Sequence, residues 1–293
     1  MSVKVSICIP TFNQIEFLKK CLESIVIQIF TDFEIVISDD STNTEVEKLV
    51  VAFFKNKNIK HTYHHNSPSL GSPANWNKAI SLASGKYIKI MHHDDWFSKE
   101  DSLLKFVNTL ENNDNSDFAF CSSNIFDVKN ETYSLNSPDS DFLNTLKNDP
   151  LTLFNSNKIG APSATIFRNI NKLVFDNKMS YLVDVDFYIQ CLKQNPRFIF
   201  INEPLIINTS NNSNQVTASS INKKIQIGEY CYLYNKWFNG KIPTKKYRVF
   251  FKDLFAWYNL NSFNEIESMG YEKPRPHWIF RLLTLQAKLK RND

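Results

Sequence analysis

The sequence predicts an α/β fold: a mostly parallel, Rossmann-like sheet with flanking helices, followed by a helical C-terminal extension. Three observations carry that prediction. Short apolar runs alternate with amphipathic patterns of roughly ten residues over the first hundred positions, as βαβ units do. The carboxyl ends of those runs collect polar and acidic residues, where ligands of such sheets bind. Beyond residue 222 the periodicity is helical alone.

Val3 to Ile9 is β-rich and should form the first strand, ended by Pro10, which cannot donate to a ladder. Ile15, Leu18, Leu22, Ile25 and Val26 fall at helical spacing and predict a helix to about Gln28. Phe33 to Ser38 is a second strand, running out into Asp39 and Asp40. A helix follows from Glu45 to about Lys55, then a strand from Ile59 to His64. After a turn-rich loop, Ser72-Pro73 starts a helix that should stop at Gly85. Lys86 opens an apolar strand that ends in His92, His93, Asp94 and Asp95. Asp101 to Glu111 predicts a helix, and Phe118–Ser122 and Ala164–Arg168 predict strands separated by the polar stretch Lys129 to Asp149. Tyr181 to Leu192 reads as a helix with Asp184 near its start, and Arg197 to Ile201 as a strand. Asn208 to Ser220 is almost all Asn, Ser, Thr and Gln and is taken as a linker or mobile loop. Three helical patterns close the chain, at Asn222–Phe238, Thr244–Leu260 and Pro276–Arg291.

Composition narrows the chemistry. The chain has 293 residues, with 24 Phe and 11 Tyr against only 6 Gly. That balance predicts an aromatic-rich core, and no Walker or dinucleotide glycine fingerprint is present. Net charge is +4, too mild to imply a nucleic-acid partner, though basic residues thicken toward the C-terminus. The five cysteines are odd in number, lack a C-x-x-C pair and sit in apolar runs, which suits reduced thiols and a cytoplasmic setting. No segment reads as a signal peptide or membrane span.

Asp94 and Asp95 are the first candidates for chemistry. Carboxylates at a buried strand end are costly without a partner, and oxygen donors suit Mg²⁺ or Mn²⁺ bridging phosphates. The competing reading is a helix-capping Asp. His92-x-Asp94 also has the spacing of two arms of a facial iron triad, with His277 as the distant third. Asp39 and Asp40 can bind a base or ribose, or merely form an Asx-turn.

Taken together, these blocks carry a resemblance. Val5-Ser-Ile-Cys-Ile-Pro-Thr-Phe-Asn13, then Ser24 through Ser41, then Ala74-Asn-Trp-Asn-Lys-Ala79 and Ala83 through Asp95 resemble, in order, the conserved blocks of the family 2 glycosyltransferases. The likeness continues more faintly through Gly160–Ala164 and Asp184–Phe187. It implies the GT-A fold, over a catalytic domain at 1–210 with a nucleotide half at about 1–100 and an acceptor half at about 101–210. Residues 211–293 would be a linker and helical region. By the same resemblance Pro10, Thr11, Asn13, Asp39, Asp40, Asn77 and Asp94 bind the nucleotide. Asp94 and Asp95 hold Mn²⁺ or Mg²⁺. Asp184 is the catalytic base, with Asp186 its competitor. His92 stands where the family's acidic motif often begins with Asp, and Trp76 where many members carry Arg.

The implied activity is an inverting, metal-dependent transfer of a hexose or N-acetylhexosamine. The donor would be a nucleotide-diphosphate sugar, UDP-linked. The acceptor would be a surface glycan or lipid-linked oligosaccharide, as in O-antigen, capsule or lipooligosaccharide. Such displacement needs a base and a cation but no enzyme nucleophile. The alternatives are a sugar-nucleotide pyrophosphorylase and a non-catalytic nucleotide-sugar binding module. In the last helix Trp278, Leu282, Leu285 and Leu289 form one stripe, and Arg281, Thr284, Lys288 and Arg291 another. That pattern fits either a peripheral contact with the cytoplasmic membrane or a helix packed on the catalytic domain.

Overall fold

The computed structural model describes residues 3–170, 173–211 and 222–292. Its strands are β1 (Val5–Thr11), β2 (Phe33–Asp39), β3 (His61–His65), β4 (Tyr87–Ile90), β5 (Trp96–Phe97), β6 (Phe118–Asp127), β7 (Thr132–Asn136), β8 (Thr165–Arg168) and β9 (Phe198–Ser210). The helices between them are α1 (Glu16–Val26), α2 (Glu45–Phe54), α3 (Ala74–Ser81), α4 (Ser102–Glu111), α5 (Ser140–Asn148) and α6 (Val183–Gln194). After the undescribed segment 212–221 come α7 (Lys223–Phe238), α8 (Lys245–Trp257), α9 (Glu265–Ser268) and α10 (His277–Asn292).

One sheet runs in the order β3-β2-β1-β4-β8-β6-β9-β5, with β7 paired to β6. Pairing is parallel across β3-β2-β1-β4 and between β6 and β9. It is antiparallel at β4–β8, β6–β8, β5–β9 and β6–β7. The predicted parallel character therefore belongs mainly to the first hundred residues, and the rest is mixed.

Alternation along β1 splits the core between the two faces of the sheet. Val5, Ile7 and Ile9 pack with α1, α2 and α4 on one side. Cys8 packs on the other, with residues of α3, α6, α7, α8 and α10. The aromatic surplus collects there. Phe154 lies among the rings of Tyr230, Tyr234, Phe238, Tyr247, Phe250 and Phe251, with centroids 5.2–6.2 Å away. All five cysteines are buried and unpaired.

Several boundaries differ from expectation for identifiable reasons. Pro10 does not end β1; it pairs with Ser38. Cys8 O accepts from Met91 N, so the residue two further on faces the side where β4 has already ended, and no ladder partner misses the proline's N–H. Gly85 does not cap α3, which stops at Ser81. It is required because an added Cβ would lie 2.6 Å from Ser6 N. The polar stretch before Asp149 contains β7 and α5, the latter capped by Asp139 accepting from Phe142 N. The largest difference is β9. It continues past Ile201 through a register shift opposite Cys121–Ser123, so Asn208 and Thr209 are strand residues rather than linker. The rest of the predicted linker, 212–220, lies outside the described residues.

Candidate active site

The acidic strand end is held by β9. The chain turns at 92–95, with Asp95 N donating to His92 O, and enters β5, where Trp96 lies opposite Ile207 in antiparallel register. Extending that register sets Asp95 against Asn208 and Asp94 against Thr209. Asn208 Nδ2 and Thr209 N donate to the two oxygens of Asp95 at 2.8 and 3.1 Å. Thr209 Oγ1 donates to Asp94 at 2.8 Å. Burial, then the adjacent Asp94, push the Asp95 carboxyl up to about 7. The same burial opposes ionisation of Asp94, but the fields of His93 and His92 and the Thr209 hydroxyl bring it below the usual carboxylate range.

His92 is a metal-ligand candidate on geometry. Donor atoms of His92, Asp94 and Asp95 lie within 4.8 Å of one another. His92 Nε2 is enclosed with no hydrogen-bond partner, and burial pushes the imidazolium down to about 4, leaving a neutral ring. Its backbone N–H donates to Ser163 Oγ at 2.9 Å, and its ring lies 4.6 Å from that of Trp76. The distant arm of the iron-triad reading, His277, packs against Phe263 at the start of α10 instead. Below the site, wholly buried Lys89 donates to Ile90 O and Ser163 O.

These residues open onto a cavity of about 690 Å³. Pro10, Thr11, Asp40, Asp94, Asp95 and Asp184 all line it. Six buried side-chain polar atoms lack a partner among the described residues, and three of them belong to cavity-lining residues: Thr11 Oγ1, Ser72 Oγ and His92 Nε2. Buried polar atoms are rarely left unsatisfied, so that concentration marks where a polar ligand fits.

Asn13, Asp39 and Asn77 do not line the cavity. Asn13, at φ 47°, accepts from Thr42 N and ties the loop after β1 to the loop after β2. Asp39 is spent on Ser41 and Tyr63. The Asn77 amide is turned to Phe175 and Asn177, and Asn75 is the asparagine that lines the cavity. Asp40 does reach it, but its carboxylate also accepts from Asn66 Nδ2, Leu70 N and Gly71 N at 2.7–3.0 Å. Sequence reasoning missed Asn208, Thr209, Asn75 and Phe12, whose half-exposed ring also lines the cavity.

Asp184 and Asp186 part company. Asp184 faces the cavity, where Asn157 Nδ2 donates to it at 2.7 Å and burial pushes its carboxyl up to about 6. Asp186 is wholly buried against α7, accepting from Lys236 Nζ and Trp237 Nε1, each at 2.8 Å.

A mixed sheet with acidic strand ends opening onto one cavity, closed by a helix-borne carboxylate, is the architecture of a nucleotide-sugar glycosyltransferase of the GT-A fold. The sequence profile "Glycosyl transferase family 2" matches residues 6–172, and the chain belongs to that family. It is similar to the uncharacterized glycosyltransferase MJ1057 of Methanocaldococcus jannaschii, 28% identical over 259 residues covering 86% of this chain and 87% of that one. It is also similar to abequosyltransferase RfbV of Salmonella typhimurium, 32% identical over 155 residues, 52% of this chain and 44% of RfbV. Among solved structures, S. aureus TarS 1-349 in complex with UDP-GlcNAc shares the fold, with a TM-score of 0.62 at 17% identity over 98% of this chain and 92% of that one.

Proposed function

We propose that the chain transfers a hexosyl or N-acetylhexosaminyl group, with inversion, from a UDP-linked sugar to a hydroxyl of a glycan or lipid-linked oligosaccharide in surface-polysaccharide assembly. The observation that carries this reading is the single cavity in which Asp40, the Asp94–Asp95 pair and Asp184 meet from separate segments.

In this reading Pro10, Thr11 and Asp40 form the nucleotide end. The half-exposed ring of Phe12 offers a face for the base. A divalent cation would be held by Asp94 and His92. Asp95, both of whose oxygens are engaged by β9, orients them. A bound Mn²⁺ or Mg²⁺ supplies the positive charge that stabilises the departing diphosphate. The acceptor oxygen bonds to the anomeric carbon as the bond to the diphosphate breaks, and Asp184 takes the hydroxyl proton. Residues 1–210 form the catalytic unit, and the helices after 211 support it. Sugar transfer is supported by the similarity to a named abequosyltransferase.

None of the described helices is long and apolar enough to cross a membrane. We place the enzyme on the cytoplasmic face by peripheral contact. On α10 the buried side is Ile279, Phe280, Leu283 and Ala287, while Trp278, Leu282, Leu285 and Leu289 are exposed on the opposite side. Arg281 and Lys288 flank that exposed stripe, which fits an anionic lipid surface.

The test is thermal shift with UDP-GlcNAc, UDP-glucose and GDP-mannose, with and without Mn²⁺, followed by nucleotide release. Stabilisation by a UDP-sugar that Mn²⁺ increases, with slow UDP release, is expected. No shift with any of them would overturn the donor reading. Exchange of pyrophosphate into a nucleotide sugar would point to a pyrophosphorylase, and binding without release to a binding module.

A further inference from the structure

The carboxylate assigned as base sits in the first turn of α6, whose N-cap, Leu182, has no side-chain cap of its own. The first turn of a helix leaves amide donors that something must satisfy. Here Val185 N is met by Asp184 itself at 2.8 Å, while the turn leading into the helix, through the N-cap amide, is met by a partner from far along the chain. Glu229 of α7, wholly buried, accepts from Ser180 N at 2.7 Å, Ser180 Oγ at 2.9 Å, Tyr181 N at 2.9 Å and Leu182 N at 2.8 Å. A carboxylate at a helix N-terminus is favoured by the helix dipole, and charge-assisted bonds of this kind are stronger than neutral ones.

The grip is two-sided. Two residues beyond Asp184, Asp186 is held by Lys236 and Trp237 of the same α7. The position of α7 is itself fixed closely, since a Cβ at Gly228 would fall 2.1 Å from the Tyr271 ring. Ser180, Tyr181, Val183 and Asp184 all line the cavity, so the segment Glu229 holds is a wall of the site.

We propose that Glu229 is the positioning residue of the active site: it fixes the 180–182 turn and thereby aims Asp184 at the acceptor hydroxyl. The proposal rests on the reading of Asp184 as base. Glu229 also acts through its charge. The titratable groups facing Asp184 are Glu229 and Tyr230 from α7 and Tyr181 and Tyr188 from its own segment. The three phenols are pushed up by burial and stay neutral, so after burial itself, the larger cause, the Glu229 carboxylate adds to the proton affinity of Asp184.

The experiment compares wild type, Glu229→Gln, Glu229→Asp and Asp184→Asn in Mn²⁺. It follows hydrolysis of whichever of UDP-GlcNAc, UDP-glucose and GDP-mannose the wild type turns over, together with UDP binding and amide hydrogen exchange at 180–182. Glu229→Gln should lower kcat by about 10- to 100-fold, the cost of a small misplacement, with UDP affinity unchanged. Its acid limb should move to lower pH, because removing a nearby negative charge lowers the proton affinity of Asp184. Exchange at 180–182 should quicken. Glu229→Asp, which keeps the charge, should leave the acid limb in place and recover part of kcat. Wild-type kcat and exchange in Glu229→Gln, with Asp184→Asn inactive, would overturn the role of Glu229 alone. Full turnover in Asp184→Asn would overturn the base assignment instead. If Glu229→Gln does not fold, Glu229→Asp decides: unchanged kcat and unchanged exchange there would also overturn the proposal.

Discussion

Asp184 and Asp186 stand two positions apart on one helix, and their surroundings give them opposite fates. Asp186 accepts from Lys236 and the Trp237 indole, while Asp184 accepts from Asn157 Nδ2 and Val185 N and has a cavity in front of it. Burial pushes Asp184 up to about 6, so its base form is lost as pH falls through that value, and turnover should fall with it. The same shift has a stability sign. A carboxyl whose folded value is raised stabilises the fold when protonated, so ionised Asp184 costs stability above about 6. Asp184→Asn should therefore cut turnover by about 10²- to 10⁴-fold while raising the melting temperature at pH 8. A lowered melting temperature would show that Asp184 is structural. This division was legible in sequence, because residues two apart on a helix cannot share one site. Asn77 was less legible. Asn75 and Asn77 differ by half a turn of α3, and only packing decides which meets the cavity.

At the scale of the element, the parallel half is pinned by one buried acid. Glu34 on β2 accepts from Ser6 Oγ of β1 and from Ser84 N and Oγ before β4, at 2.6–2.8 Å, and pairs with Lys60. Although burial opposes ionisation, the Lys60 ammonium and these donors hold its carboxyl down to about 2. A lowered folded value means the contribution is complete above the ordinary 4.5 and is lost as pH falls toward 2. Glu34→Ala should destabilise by about 1–3 kcal/mol in urea titration at pH 7, since it strands buried donors and removes the partner of Lys60, with the gap narrowing between pH 4.5 and 2. A gap that does not narrow toward the acid end would show that the Glu34 charge contributes nothing. Strands β1, β2 and β4 were readable because each carries its own apolar run. The end of β9 was not. Asn208 and Thr209 have the composition of a loop, and their strand identity comes from β6 and β5 on either side, a long-range pairing that no local pattern encodes.

Across the whole molecule, the C-terminal helices join the same core as α6, through Phe154 and the rings around it. The exposed stripe on α10 is the face left over once Phe280 and Leu283 are buried. The apolar stripe is exposed as one face, whereas Thr284 of the predicted basic stripe is buried, its hydroxyl donating to Phe280 O; helical period alone could not tell core from solvent, because α10 is apolar on both sides. Its consequence is measurable. Leu282→Ser with Leu285→Ser should weaken sedimentation with phosphatidylglycerol vesicles by about 10²-fold, as expected when two leucine side chains at about 1.5 kcal/mol each no longer enter the lipid, without lowering the melting temperature. Equal sedimentation of wild type and variant would remove the membrane contact. Deleting the helix would be a poorer test, because it also strips Phe280 from the core.

The hold of Glu229 on the 180–182 turn also sets an order of events during synthesis. The strands and loops that frame the nucleotide end lie mostly within the first hundred residues and can pack while the ribosome is still translating. The anchors for the turn and for Asp186 lie at 229, 236 and 237, so the helix bearing Asp184, though already packed on Phe118, Phe167 and Phe175, lacks those holds until α7 has emerged. A nascent chain can thus frame the first wall of the cavity before the turn that carries Asp184 is fixed.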